Sequence, residues 1–209
     1  VLSSIQNEDE RLARNYRKIL KLSAFVVFPM MLMLSAIASP LVKVVLTDKW
    51  DGCIILLQIL CFSMMWYPIH GINLNLLTVK GRSDLFFRLE IIKKVLGVCI
   101  MCITIPHGII WMVCGEIVSS MVALIINTYY TGKLIHVGYF KQMCDLLPVF
   151  GVSFAMWLAI HASLLLTNNV YSQLIIGIIV GFAFYVIFAK LILKSEWNET
   201  MEMILNKIK

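Results

Sequence analysis

Glu116, in Trp111-Met-Val-Cys-Gly-Glu116-Ile-Val-Ser-Ser120, is a carboxylate well inside a long apolar run. Counted from Gly108 at about 1.5 Å per helical residue, it lies about 12 Å into that run. That depth is near the middle of a hydrocarbon core about 30 Å thick. An isolated charge there is costly, so the group must be protonated, paired or hydrated. Two chemistries suit it. One is a cavity acid that binds a cation or proton, or hydrogen-bonds a polar substrate. The other is a helix-packing hydrogen bond, which Gly115, Ser119 and Ser120 favour.

A second set lies between Trp66 and Lys94, WYPIHGINLNLLTVKGRSDLFFRLEIIKK. His70, Asn73 and Asn75 fall inside an apolar run just after Pro68. Each suits an interhelical hydrogen bond, and beside a kink the group also suits a cavity wall. Lys80, Arg82, Arg88, Lys93 and Lys94 follow within fifteen positions. The fully apolar stretch after them, Val95 to Ile105, is only about 17 Å long as a helix. Arg88, Lys93 and Lys94 must therefore snorkel to the cytoplasmic interface or line a wet vestibule. In a vestibule they would offer charge-assisted donors to phosphate groups. Glu90, one turn before Lys93 and Lys94, partly neutralises that pair. The candidate substrate-binding residues are Asn73, Asn75, Arg82, Arg88, Lys93 and Lys94, and the candidate coupling or cavity acid is Glu116.

Other chemistries find little support. His107 and His161 have no second histidine or carboxylate at ligand spacing, so no metal is expected. Cys99 and Cys102 form a C-x-x-C within an apolar helix, and the six cysteines read as small packing residues. No nucleophile–base constellation or glycine-rich phosphate loop is present. We expect a protein that is not an enzyme and needs no cofactor.

The elements that must position these residues follow from composition. Of the 209 residues, 60% are hydrophobic and 14% charged, against roughly 45–50% and about 25% in soluble domains. The fold class expected is an all-α integral membrane protein. The net charge of +6 would suggest nucleic acid in a soluble protein, but a basic balance also follows from basic cytoplasmic loops. No nucleic-acid partner is expected.

Residues 1–21 carry Ile5, Leu12, Tyr16, Ile19 and Leu20 opposite Arg11, Arg14, Arg17, Lys18 and Lys21, an amphipathic cytoplasmic lead-in. A membrane domain follows over 22–193. Its six spans begin at Leu22 (with kinks at Pro29 and Pro40), Ile54 (broken near Pro68 and Gly71), Leu85, Ile109, Leu147 and Gln173. A polar connection covers Tyr130 to Leu146. Residues 194–209 place Trp197, Met201, Ile204, Leu205 and Ile208 along one face, a C-terminal interfacial helix. With both termini in the cytoplasm, sixteen of the eighteen Lys and Arg residues face inward, leaving Lys43 and Lys49 outside. This is the positive-inside pattern. The chain opens on Val1 rather than Met, without a secretory signal pattern, so it is expected to be a piece of a longer or trimmed chain.

Several of these stretches, in order, resemble polysaccharide flippases of the Wzx and teichuronic-acid exporter type. That type sits within the multidrug/oligosaccharidyl-lipid/polysaccharide exporter superfamily. They are Val1-Leu-Ser-Ser-Ile-Gln-Asn-Glu-Asp-Glu-Arg-Leu-Ala-Arg-Asn-Tyr-Arg17 before Phe28-Pro29, the Leu46-Thr-Asp-Lys-Trp50 turn, Tyr67-Pro68, Asn73-Leu-Asn75, Gly81-Arg-Ser-Asp-Leu85 and Glu90-Ile-Ile-Lys-Lys94. They cover the first half of the chain; the second half matches only as apolar helices. The resemblance implies two helical bundles around a central cavity with alternating access. It implies an undecaprenyl-diphosphate-linked oligosaccharide as cargo, for surface polysaccharide such as O-antigen, capsule or exopolysaccharide. It also implies a multi-pass bacterial inner-membrane protein whose N-terminal bundle is missing from this chain. The partners expected are the lipid-linked oligosaccharide, membrane lipids and polysaccharide-assembly proteins. Two alternatives stay open: a cation-coupled drug or metabolite antiporter of the same superfamily, and a membrane-embedded glycosyl- or acyltransferase or its partner.

Overall fold

The computed structural model describes residues 9–208, and side chains over 10–202. Ile5 and the opening of the lead-in motif lie outside the described residues, as do the side chains of Ile204, Leu205 and Ile208. The described residues form nine α-helices and two short 3-10 turns, with no strand among them. The helices are α1 (Asp9–Ala36), α2 (Ala38–Leu46), α3 (Gly52–Met64), α4 (Tyr67–Val79), α5 (Ser83–Thr104), α6 (Ile109–Ile135), α7 (Tyr139–Leu164), α8 (Val170–Ile192) and α9 (Lys194–Ile208).

Five stretches among the described residues are long and apolar enough to cross a membrane: Glu10–Ala36, Gly52–Val79, Ile109–Ile135, Tyr139–Leu164 and Val170–Ile192. Many large apolar side chains point outward, among them Met30, Val98, Ile103, Trp111, Phe182 and Leu191. That suits a protein solvated by lipid. The helical, membrane-spanning class expected from composition is thus present. Helix α5 is as long as a span, at 22 residues, but Asp84, Arg88, Glu90, Lys93 and Lys94 interrupt its apolar character.

Two of the prolines set where helices break, whereas Pro29, where the sequence predicts a kink, lies inside α1 and Pro148 inside α7 without ending either helix. A proline ring clashes with the carbonyl four residues earlier and cannot donate to it. Pro40 faces the carbonyl of Ala36 in this way, and α1 stops at Ala36. Pro68 does the same to Met64, where α3 stops. The second break therefore lies upstream of Pro68, at Met65 and Trp66, and Gly71 sits inside α4. Between Asp9 and Pro29 there is no proline or glycine, so the lead-in and the start of the first apolar run are one unbroken helix. Its buried stripe recurs every four residues at Leu12, Tyr16 and Leu20, then Ala24, Phe28, Leu32 and Ala36. The polar connection expected over Tyr130–Leu146 is mostly helix as well. Only the segment between α6 and α7 turns, where His136 adopts a left-handed conformation at φ 57° and its N–H bonds the Gly132 carbonyl.

The chain divides into two compact units. The first joins Val1–Ser23 to Trp66–Leu146. In it α5 packs on α6 through Gly115, where a Cβ would come within 2.9 Å of Ile100 and 3.0 Å of Thr104. Helix α4 packs on both, with Leu77, Leu85 and Leu89 buried together at the basic turn. The second unit joins Ala24–Met65 to Leu147–Lys209. There Gly177 and Gly181 of α8 lie against Ile37, Ile160 and Met33, and the Tyr185 hydroxyl donates to the Phe25 carbonyl at 2.5 Å. Lys190 sits over the Trp197 ring at the α8–α9 junction.

Candidate functional site

The polar side chains of the first unit converge on one seam. Along α6, residues 116, 120, 127 and 131 fall near one face by the 3.6-residue repeat: Glu116, Ser120, Asn127 and Thr131. Helix α4 sets His70 and Asn73, one turn apart, against it. His70 Nε2 lies 3.0 Å from Ser120 Oγ and its Nδ1 lies 3.3 Å from Asn127 Nδ2. Deeper in, the Thr131 hydroxyl donates to Asn73 Oδ1 at 2.7 Å. Gln142 of α7 and Asn73 exchange amide hydrogen bonds at 3.1 and 3.2 Å. Asn73 also donates to the Ile69 carbonyl, and Gln142 to that of Val137. Asn73, Asn127, Thr131 and Gln142 are all buried.

Tyr16 of α1 completes the seam. Its fully buried hydroxyl lies beside Thr131 and Gln142 without a hydrogen bond of good geometry. One helical position on, Arg17 grips buried Asp145 of α7 with two hydrogen bonds, at 2.6 and 2.7 Å, and the Lys21 ammonium lies 3.4 Å from the same carboxylate. Buried carboxylates need such partners, because an unpaired charge in low dielectric is strongly penalised.

The expected substrate residues separate into two groups. Asn73 is committed to the seam, whereas Asn75 faces outward on α4. At the basic turn, Arg82 makes two 3.0 Å hydrogen bonds to Asp84. The Arg82 guanidinium, with the adjoining backbone N–H groups, holds the Asp84 carboxyl below its usual range. Lys93 pairs with Glu90 one turn earlier. Arg88 and Lys94 are exposed, and among the described residues neither has an ion-pair partner. Glu116 is also exposed, one turn from Ser120, with no hydrogen-bond or ion-pair partner among the described residues. The structure therefore brings His70 and Asn73 together and leaves Asn75, Arg88, Lys94 and Glu116 facing outward.

Sequence reasoning missed Tyr16, Asn127, Thr131, Gln142 and Asp145 as partners of this seam. Their signal was present in the four-residue spacing of Asn127 and Thr131, but the stretch from Tyr130 onward read as a connection. Among the described residues no three of His, Cys, Asp and Glu gather to hold a metal ion. The six cysteines are free thiols.

Residues 1–55 match the family described as polysaccharide biosynthesis protein. Over 133 residues, 63% of this chain and 27% of its relative, the sequence is 26% identical to an uncharacterized membrane protein in the cps region of Klebsiella pneumoniae. Over 167 residues, 78% of this chain and 31% of its relative, it is 27% identical to the lipopolysaccharide biosynthesis protein WzxC of Escherichia coli K12. The chain thus spans about three-tenths of the length of these relatives. No solved structure matches it. These matches point to a polysaccharide-related membrane protein, and the chain is similar to the Wzx-type polysaccharide flippases, as its own motifs implied.

Proposed function

We propose that the chain is part of a flippase that moves an undecaprenyl-diphosphate-linked oligosaccharide across the bacterial inner membrane for surface polysaccharide assembly. In this reading α5 is a sixth span, both termini lie in the cytoplasm, and further membrane helices outside this chain complete the cavity. The observation that carries the reading is the arrangement of charge along α5 and the turn that leads into it. Arg82 and Lys93 are compensated by Asp84 and Glu90, whereas Arg88 and Lys94 are exposed without such partners. A diphosphate arriving from the cytoplasm needs uncommitted cationic donors of this kind. Arg88 and Lys94 are therefore the first contacts, and Arg82 and Lys93 supporting ones that must exchange partners to take part.

The experiment is to replace Arg88 and Lys94 with Gln in the full-length protein and measure surface polysaccharide alongside membrane abundance. Export should fall at least tenfold at unchanged abundance, with Arg82→Gln less affected. Unaltered export by the double variant would remove the diphosphate role.

The outward position of Glu116 supports a second reading, in which a cation-coupled antiporter uses that carboxylate as its coupling acid. Glu116→Gln separates the two: it keeps hydrogen bonding but not charge. Loss of cation-dependent transport at normal abundance would support the coupling role.

A further inference from the structure

The carboxamide of Asn127 is buried, yet its Oδ1 has no hydrogen-bond partner, while its Nδ2 faces His70 Nδ1 at 3.3 Å. An orphan buried acceptor is costly and needs an explanation. The partner is already beside it. A half-turn of the amide about its terminal bond exchanges Nδ2 for Oδ1, since the two ends have nearly the same shape. With Nδ2 facing the ring, Nδ1 accepts and Nε2–H donates to Ser120 Oγ. With Oδ1 facing the ring, Nδ1–H donates to it and Nε2 can accept the Ser120 hydroxyl proton. Ser120 is itself both donor and acceptor. Both ring nitrogens therefore stay hydrogen-bonded in either neutral tautomer and in the imidazolium form.

A second titratable group stands one helical turn from Ser120. Glu116 stands four residues earlier on α6, the spacing at which helical side chains meet, about 5–6 Å apart at Cβ. We propose that His70 and Glu116 form one proton-binding site within the membrane, bridged by the Ser120 hydroxyl, with the Asn127 carboxamide serving His70 in each of its protonation states. A proton that reaches Glu116 neutralises its carboxylate. To pass on, the carboxyl O–H gives its proton to Ser120 Oγ as the Ser120 hydroxyl proton moves to Nε2. The carboxylate keeps the electron pair, the ring becomes imidazolium, and nothing else is consumed.

The other charged groups around the ring are few. From α5, Lys93, held by Glu90, lies within electrostatic reach. Tyr67 opens helix α4, and Lys80 follows its last residue. Tyr16 of α1 and Gln142 of α7 approach the seam one step deeper, at Thr131, ahead of the Arg17–Asp145 pair. Glu116 is the acid on the His70 side of α6. The inference rests on the transporter reading for its use, a proton exchanged against cargo, but the site itself is defined without it.

The test is a histidine ¹⁵N NMR titration of the full-length protein in lipid nanodiscs, with His70→Gln identifying the His70 signals. Two sites that share a proton titrate as a pair. In Glu116→Gln, the pH at which the His70 imidazolium signal grows in should fall by about one unit or more. Ser120→Ala, a smaller change for folding, should alter the populations of the two neutral tautomers. An unmoved His70 titration in Glu116→Gln overturns the shared site. If Glu116→Gln does not accumulate, unmoved tautomer populations in Ser120→Ala overturn it equally. Coupled titrations in a protein that does not export lipid-linked oligosaccharide would keep the site and remove the flippase reading. Export with uncoupled titrations would do the reverse.

Discussion

Arg17 and Asp145, 128 positions apart, are joined by two hydrogen bonds of 2.6 and 2.7 Å. The acid is 7% exposed and the guanidinium 46%, so the two charges are not equal partners. Removing the base strands a buried carboxylate with only Lys21 nearby, whereas removing the acid leaves a cation that water still reaches. Arg17→Gln should therefore cost about 1.5–3 kcal/mol and Asp145→Asn less, with the double variant less harmed than the two costs added. Unfolding titrations in mixed micelles check this. Single variants both within about 0.5 kcal/mol of the unaltered protein would show that the pair does not hold α1 to α7.

The seam around Asn73 predicts a second coupling. Asn73 Oδ1 accepts from Thr131 and Gln142 together, so removing either donor leaves the other in place. Interhelical hydrogen bonds in membranes average about 0.6 kcal/mol and reach about 1.7. Thr131→Val and Gln142→Leu should each cost an amount in that range. Asn73→Leu should cost more, since it removes at once the shared acceptor of Thr131 and Gln142 and the donor to Gln142 Oε1. A double-mutant cycle giving no interaction between positions 73 and 131 would contradict the network.

Much of this was legible in the sequence, and the limits are physical. Pro40 and Pro68 announced broken helices, because each opposes the carbonyl four residues back, yet Pro29 and Pro148 stand inside continuous helices, so context decides which proline ends one. His70 and Asn73 stood out because polar atoms are expensive in an apolar run. Gln142 and Asp145 did not stand out. They lie in a stretch whose polarity suits a loop, and only packing against Asn73 and Arg17 makes them interior. Tyr16 was read on the apolar face of an amphipathic helix, and it is buried. That its hydroxyl lies beside Thr131 and Gln142 depends on which helices stand next to it.

Close packing of α8 gives a third prediction. A Cβ at Gly177 would meet Ile37 Cγ2 at 2.8 Å, whereas none of the neighbouring atoms lies within 4 Å at Gly71 of α4. Overpacking costs about 1–3 kcal/mol. Gly177→Val should lower the thermal midpoint in detergent, and Gly71→Val should change it far less. Equal midpoints for the two variants would argue against the α8 packing described.

Topology is tested by impermeant thiol labelling in intact cells, on a cysteine-free background. The reading with both termini inside expects a cysteine at Asn169 to react and one at Asp84 to stay protected. Its motive is the sixteen inward Lys and Arg residues among eighteen. The reverse pattern would overturn six spans with both ends in the cytoplasm.

The most direct measurement of the central claim is translocation itself. The full-length protein is reconstituted into liposomes carrying an undecaprenyl-diphosphate-linked oligosaccharide, and a membrane-impermeant glycosidase reports how much sugar faces outward. Movement of the inner pool to the glycosidase-accessible side, lost in the Arg88→Gln/Lys94→Gln variant, is the predicted result. An inner pool that stays protected, with the protein folded and in both orientations, would contradict the account.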